Sequence, residues 1–202
     1  LKYFKPLICS GMILHVSLKT PLEDWIKIEN LYSDSISILD IRPDSEDYKI
    51  LVEYKGKDKQ FLSSFTKVSK NAYLGTLQVK SKIISILSKY TILQGNVMPD
   101  SIIWTVVIDG YDELKRLLKE FVEAKIDVKV LKVVKAKSED IITSRQEQII
   151  RIALEAGFFD FPRKITLNQL AEKLNISSST LAEIIRRAEK NIIEAYFKER
   201  GI

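Results

Sequence analysis

Cysteine and histidine are almost missing from this chain: 202 residues hold one of each, Cys9 and His15. A single cysteine excludes an intrachain disulfide and fits a reducing setting. No stretch near the start has the basic flank, apolar centre and small-residue cleavage site of a secretory leader. A cytoplasmic location is therefore expected. One imidazole and one thiol cannot supply the ligands of a zinc site, so His15 reads as a structural residue and Cys9 as a small buried hydrophobe. The seven glycines are scattered, with no phosphate-cradling GxGxxG or GK[ST]. No apolar run approaches the roughly 18 residues that suggest a membrane span. The acidic clusters Asp44/Glu46/Asp47 and Asp109/Asp112/Glu113 fall at a turn and a helix start, where carboxylates cap and solubilise. No Ser/His/Asp arrangement has supporting context. Metal, cofactor, membrane and enzymatic chemistry are not expected.

What the chain does have is ordinary globular composition, 46% hydrophobic and 29% charged, with a net charge of +5. That charge is unevenly placed. Residues 138–202 hold 10 basic and 10 acidic side chains, so residues 1–137 carry the whole excess. Within 163–190, however, six basic residues face three acidic ones. The surplus there is local, as phosphate contact requires.

Residues 1–137 alternate short strands and helices. Ile8–Lys19 reads as a strand, and Thr20-Pro21-Leu22-Glu23 as a capping box with proline at the first helical position. Ser35–Arg42 and Tyr48–Tyr54, joined by Pro43-Asp44-Ser45, are predicted to form a hairpin by their alternation and turn residues. Residues 58–68 suggest a short helix and Ala72–Val79 a strand. Lys80–Lys89 reads as a helix, Tyr90–Val97 as a strand, and Ser101–Ile108, apolar on both faces, as a central strand. Leu114, Leu117, Leu118, Phe121 and Val122 mark a helix over Asp112–Lys125, and Val128–Val134 a last strand. The order predicts an α+β protein. Its N-terminal domain, 1–137, is expected to be a tandem ferredoxin-like (βαββαβ) arrangement serving as sensor or dimerisation module. An all-α helix-turn-helix domain follows at 138–202.

In that second part, Ser144 and Glu147 have capping-box spacing, opening a helix expected to bury Ile149, Ile150, Ala153 and Leu154. Gly157 sits where a left-handed C-terminal cap belongs. Phe158, Phe159 and Phe161 predict a packed aromatic plug. Thr166 and Gln169 open a second helix with Leu170, Ala171 and Leu174 inward. Asn175 suits the left-handed conformation of a tight turn, and Ile176 anchors it. Ser177 can cap a third helix that buries Leu181 and Ile184 or Ile185, turning Ser178, Ser179, Ala182, Glu183, Arg186 and Arg187 outward. The spacing of Ile192, Ile193, Tyr196 and Phe197 suggests a packed or dimerising tail.

Residues 143–193 resemble the bacterio-opsin activator type of helix-turn-helix domain found in archaeal transcription regulators. Thr143-Ser144-Arg145-Gln146, Ala156 through Arg163, Leu170-Ala171-Glu172-Lys173-Leu174, and Ile176-Ser177-x-Ser179-Thr180-Leu181 with Arg186-Arg187-Ala188-Glu189 carry the resemblance. The family commonly has tyrosine after the first glycine and a second glycine at the turn; here Phe158 and Asn175 keep those roles. The resemblance implies double-stranded DNA as partner. A recognition helix at about 178–190 is then expected in the major groove. Ser177, Ser178, Ser179 and Thr180 sit at its N-terminus, where the helix dipole favours phosphate. Glu183, Arg186, Arg187 and Lys190 follow along its face, and Arg163, Lys164 and Lys173 are expected on the DNA backbone. A homodimer and a possible small-molecule effector for residues 1–137 complete the expectation. The alternative is a non-enzymatic adaptor, with a small-molecule-binding sheet domain and a helix-turn-helix that binds protein.

Overall fold

The computed structural model of the chain describes residues 12–26, 34–57, 65–135 and 142–200. The strands are β1 (Ile13–Pro21), β2 (Ser35–Asp44), β3 (Asp47–Lys55), β4 (Thr66–Lys67), β5 (Ala72–Val79), β6 (Thr91–Met98), β7 (Ser101–Asp109) and β8 (Lys129–Lys135). Two helices, α1 (Lys82–Leu87) and α2 (Gly110–Glu123), lie between strands. Three more follow: α3 (Ser144–Glu155), α4 (Leu167–Lys173) and α5 (Ser178–Glu199).

All eight strands join one sheet in the order β4-β5-β3-β2-β6-β7-β1-β8, and each pairing is antiparallel. The α+β class expected from the sequence is present, in one continuous sheet; a tandem of two ferredoxin-like units is not established by this pairing. Element order does not decide which strand lies beside which; long-range hydrogen bonding does. Here β1, the opening strand of the supposed first unit, inserts between β7 and β8. Strands β1, β6, β7 and β8, with α1 before β6 and α2 after β7, keep the β-α-β-β-α-β order and lie side by side as β8-β1-β7-β6. Both β7 and β8 run antiparallel to β1, so they are parallel to each other across it, joined by α2. The expected β2–β3 hairpin forms, and β7 is interior, between β6 and β1.

Two expectations change. Thr20 and Pro21 end β1 rather than capping a helix. The Thr20 hydroxyl instead accepts from the buried Trp104 Nε1 at 2.9 Å, and Glu23 accepts from Trp25 Nε1 at 3.1 Å. The continuation of that helix, most of the helix expected at 58–68, the connection at 136–141 and Cys9 lie outside the described residues.

Period-two alternation gives the sheet two inward faces. On β3, Ile50, Val52 and Tyr54 join one core while Leu51 joins the other. The first face, with Leu14, Val16, Leu18 and Trp104, is covered by α1 through Ile83, Ile84 and Leu87 and by α2 through Leu114, Leu117 and Phe121. Gly95 stands opposite Trp104, and a Cβ there would lie 2.4 Å from the indole. The close packing of that ring needs glycine.

The second face carries the C-terminal helices. Leu39, Leu51, Val68, Ala72 and Leu74 of the sheet side share one core with Ile149, Ile152, Ala153, Phe158, Leu170, Leu174, Leu181 and Ile185. A register shift in β2 between Ile38 and Asp40, and another in β6 between Ile92 and Gln94, mark bulges in these adjacent strands. Bulges re-aim side chains; in β2 the bulge brings Leu39 and Asp40 to the same side, toward α3.

Candidate nucleic-acid interface

Three helices build the platform, each started by local chemistry. The capping box of α3 is Thr143 with Gln146, one residue earlier than the spacing suggested: Thr143 Oγ1 accepts from Gln146 N and Gln146 Oε1 accepts from Thr143 N at 2.8 Å. Gly157 closes the helix in the left-handed region (φ 70°), and Phe158 N donates to Ala153 O at 2.9 Å. Thr166 and Gln169 form the expected box on α4. Asn175 then turns the chain at φ 49°, and Ile176 N donates back to Ala171 O at 3.1 Å. Ser177 Oγ accepts from Thr180 N at 3.1 Å and caps α5.

The buried face of α3 is rotated from the expected one. Gln148, Ile149, Ile152 and Ala153 are inward, while Leu154 is 61% exposed. The polar Gln148 sets this orientation. Its Nε2 donates to Ile92 O at 2.8 Å and Asp40 Oδ1 at 3.0 Å, and lies 3.4 Å from Leu39 O. Its Oε1 accepts from Arg145, whose guanidinium also lies 3.6 Å from Asp40 Oδ1. Asp40 Oδ2 accepts from Arg42 Nε at 2.7 Å. Around this junction, Arg151 donates to Gln94 Oε1 at 3.1 Å, Lys55 lies 3.7 Å from Glu155, and His15 Nε2 lies 3.8 Å from Glu147. Sequence reasoning missed the junction because a glutamine and an aspartate among apolar positions read as surface. The expected aromatic plug also shrinks: Phe158 alone is buried, Phe159 is 41% exposed and Phe161 fully so.

On the opposite side of the platform, α5 is packed through Leu181, Ile185 and Ala188. Ser177, Ser179, Thr180, Arg186, Arg187 and Lys190 are exposed, whereas Ser178 and Glu183 are half-buried. These residues share one helix, and Glu183 organises them: its carboxylate accepts from Arg186 at 2.7 Å and from Arg187 at 2.5 Å. Those two bonds, Arg186 first, hold the Glu183 carboxyl below its usual range. Lys190 lies 3.5 Å from Glu194. Arg163 and Lys164 are exposed on the α3–α4 connection. The Arg163 guanidinium stacks over Phe158 at 4.6 Å from the ring centroid. Among the described residues, no hydrogen bond or ion pair joins either of them to α5.

Beyond Lys190 the helix continues to Glu199, and Ile192, Ile193, Tyr196 and Phe197 are exposed by 40–54%. Among the described residues, no helix is long and apolar enough to cross a membrane.

Comparison with known proteins adds to this geometry. Residues 142–194 match the family described as "HTH DNA binding domain". The helix-turn-helix read from the sequence falls within that match, which covers about a quarter of the chain. A protein of Haloferax volcanii named "Putative transcriptional regulator" is 41% identical over 58 residues. That match covers 29% of this chain and 10% of the relative's length.

Proposed function

We propose that the chain is a non-enzymatic, sequence-specific DNA-binding regulator of transcription, with the first half of α5 as its reading helix. One observation carries the reading: within the segment matching the DNA-binding family, α5 buries Leu181, Ile185 and Ala188 and leaves Ser179, Thr180, Arg186 and Arg187 open. Arginine in the major groove pairs bidentately with guanine, and hydroxyls at a helix N-terminus suit phosphate. Glu183 holds the arginines in register until DNA competes for them. Ser177, Ser178, Lys190, Arg163 and Lys164 are assigned supporting contacts, the last two to the backbone.

In this reading residues 1–137 form the regulatory domain and 138–202 the DNA-binding domain. A groove of about 730 Å³, lined by Tyr48, Lys80, Ser81, Ser85 and Glu120 among others, supports a small-molecule effector. The exposed Ile192, Ile193, Tyr196 and Phe197 support a homodimer through the distal part of α5. Two-fold pairing gives a short reading helix a second half-site.

Selection of bound genomic fragments, then footprinting with Arg186→Ala and Arg187→Ala proteins, tests the reading. Loss of a bidentate contact is expected to cost ~1–3 kcal/mol and to relax specificity at one position. Unchanged footprints would remove α5 as the reading helix. A shallow dependence of affinity on salt would favour the adaptor reading instead. Phe197→Glu is expected to convert a dimer to monomer in sedimentation; an unchanged oligomer would reject that interface.

A further inference from the structure

A second, smaller cavity lies where the helix-turn-helix sits on the sheet. It is a crevice of about 170 Å³. Asp40, Arg42 and Asp44 of β2 and Lys49 of β3 line its floor, and Lys173 of α4 and Asn175 line its roof. Asn175 is the left-handed turn residue two positions before the cap of the reading helix. The crevice therefore touches the element that sets α4 against α5.

Its chemistry is cationic and incompletely matched. Arg42 Nε is committed to Asp40, but Arg42 Nη2 is buried without a hydrogen-bond partner. Buried donors are almost always paired, and an unmet guanidinium N–H is a place for an acceptor. Lys173 Nζ has one described bond, to Leu74 O at 3.3 Å, which satisfies a donor without neutralising a charge. Among the described residues, neither Lys49 nor Lys173 lies within 4.0 Å of a carboxylate oxygen. Burial lowers the Lys173 pKa; the charge of Glu172 opposes this, and the charge of Lys49 adds to it. On the acidic side, Asp40 is divided between Arg42 and Arg145, and Asp44 is exposed. Three cationic groups thus converge on a space too small for a nucleotide, since pockets for drug-sized ligands run to roughly 300–1,000 Å³.

We propose that this crevice binds a small oxyanion of phosphate size, held by the Arg42 guanidinium, Lys49 and Lys173, and that the bound anion clamps the helix-turn-helix onto the sheet. Guanidinium and ammonium donors converging on one acceptor make charge-assisted bonds, the strong class. A ligand that contacts both partners binds only the docked arrangement, so it stabilises docking by mass action. The same chemistry is offered by free phosphate and by a phosphate of the DNA backbone. The enclosed position between sheet and turn favours the free ion.

The whole chain is titrated with inorganic phosphate in calorimetry and in thermal unfolding, at ionic strength held constant with chloride. Saturable one-to-one binding and a rise in Tm are expected. Lys49→Met, at an exposed position, and Lys173→Met are each expected to weaken binding about tenfold or more, as loss of a charge-assisted bond implies. Lys115→Met, on α2 and away from both cavities, is expected to bind as the parent does. Absence of saturable binding, or equal behaviour of all four proteins, overturns the site. If Lys49→Met weakens DNA binding while free phosphate does not bind, the crevice is a backbone contact and the free-ion clamp is wrong. None of these phosphate measurements depends on the DNA reading of α5.

Discussion

The two faces of the sheet are covered by different kinds of contact. Against the first face, α1 and α2 press Ile83, Ile84, Leu87, Leu114, Leu117 and Phe121 onto aliphatic strand residues and Trp104. The second face begins in the same way, with Leu39, Leu51 and Leu74 under Ile149, Ile152 and Leu170. It then adds directional polar contacts: Gln148 and Arg145 to Asp40, Arg151 to Gln94, Lys55 to Glu155, Lys173 to Leu74 O. Apolar contact is tolerant of sliding, whereas a hydrogen-bonded junction fixes one orientation and can be loosened by altering one group. The first face is built to hold a module together. The second is built to hold the helix-turn-helix platform in one pose, with chemistry that a ligand or a proton can reach.

The largest expected effect tests whether the two faces melt together. Phe121 is fully buried on the first face, and Phe121→Ala is expected to cost ~3–5 kcal/mol. Because the second core shares strands with the first, helix signal from α3–α5 is expected to be lost in the same urea transition as sheet signal. A helix-turn-helix that keeps the parent midpoint in this variant would mean the faces are uncoupled.

Next in size is the junction itself. Gln148→Ala leaves Asp40 Oδ1 and Ile92 O without their donor, and stranding such buried acceptors costs ~1–3 kcal/mol. Asp40→Ala in the same protein is expected to add less than its separate effect, since both variants dismantle one network. Strict additivity in a double-mutant cycle would show that Gln148 and Asp40 do not act together.

The difference between the faces also explains what the residues disclosed in advance. The helix-turn-helix was legible because its determinants are local. Thr166 with Gln169, Gly157, Asn175 and Ser177 each act within four residues, and each took the expected role. The strands were legible as strands, but their neighbours were not. Nothing near β1 in sequence announces that it pairs with β7 and β8. The rotation of α3 was missed for a related reason. Counting only apolar positions placed Leu154 inward, while the helix turns to bring Gln148 to carbonyls some 56 and 109 residues away in sequence. The exposed face of α5 was legible; the polar junction and the crevice behind it exist only once distant elements meet.

The smallest expected effect probes a proton on the second face. Glu53 follows Leu51 on the α3 side of β3, and it is 4% exposed. Its neighbours are Lys55, at 2.8 Å, and Glu155 of α3. Burial raises the Glu53 pKa above the ordinary glutamate value, Lys55 opposes this, and Glu155 adds to the rise. A carboxyl whose folded-state pKa is raised binds its proton more tightly in the folded protein than in the unfolded chain. Its contribution is therefore fully present below the unfolded-state value, about 4.3, and is lost as pH rises through the folded-state value. Ionisation sets two carboxylates against one another across the junction, with a single lysine between them. Glu53→Gln keeps the shape and removes the titration. Urea midpoints of parent and variant, measured from acid to neutral pH, are expected to diverge in that window, with the parent losing stability relative to Glu53→Gln. A parent that gains relative stability with rising pH would mean that Lys55 outweighs burial, leaving an ion pair rather than a shared proton to join β3 to α3.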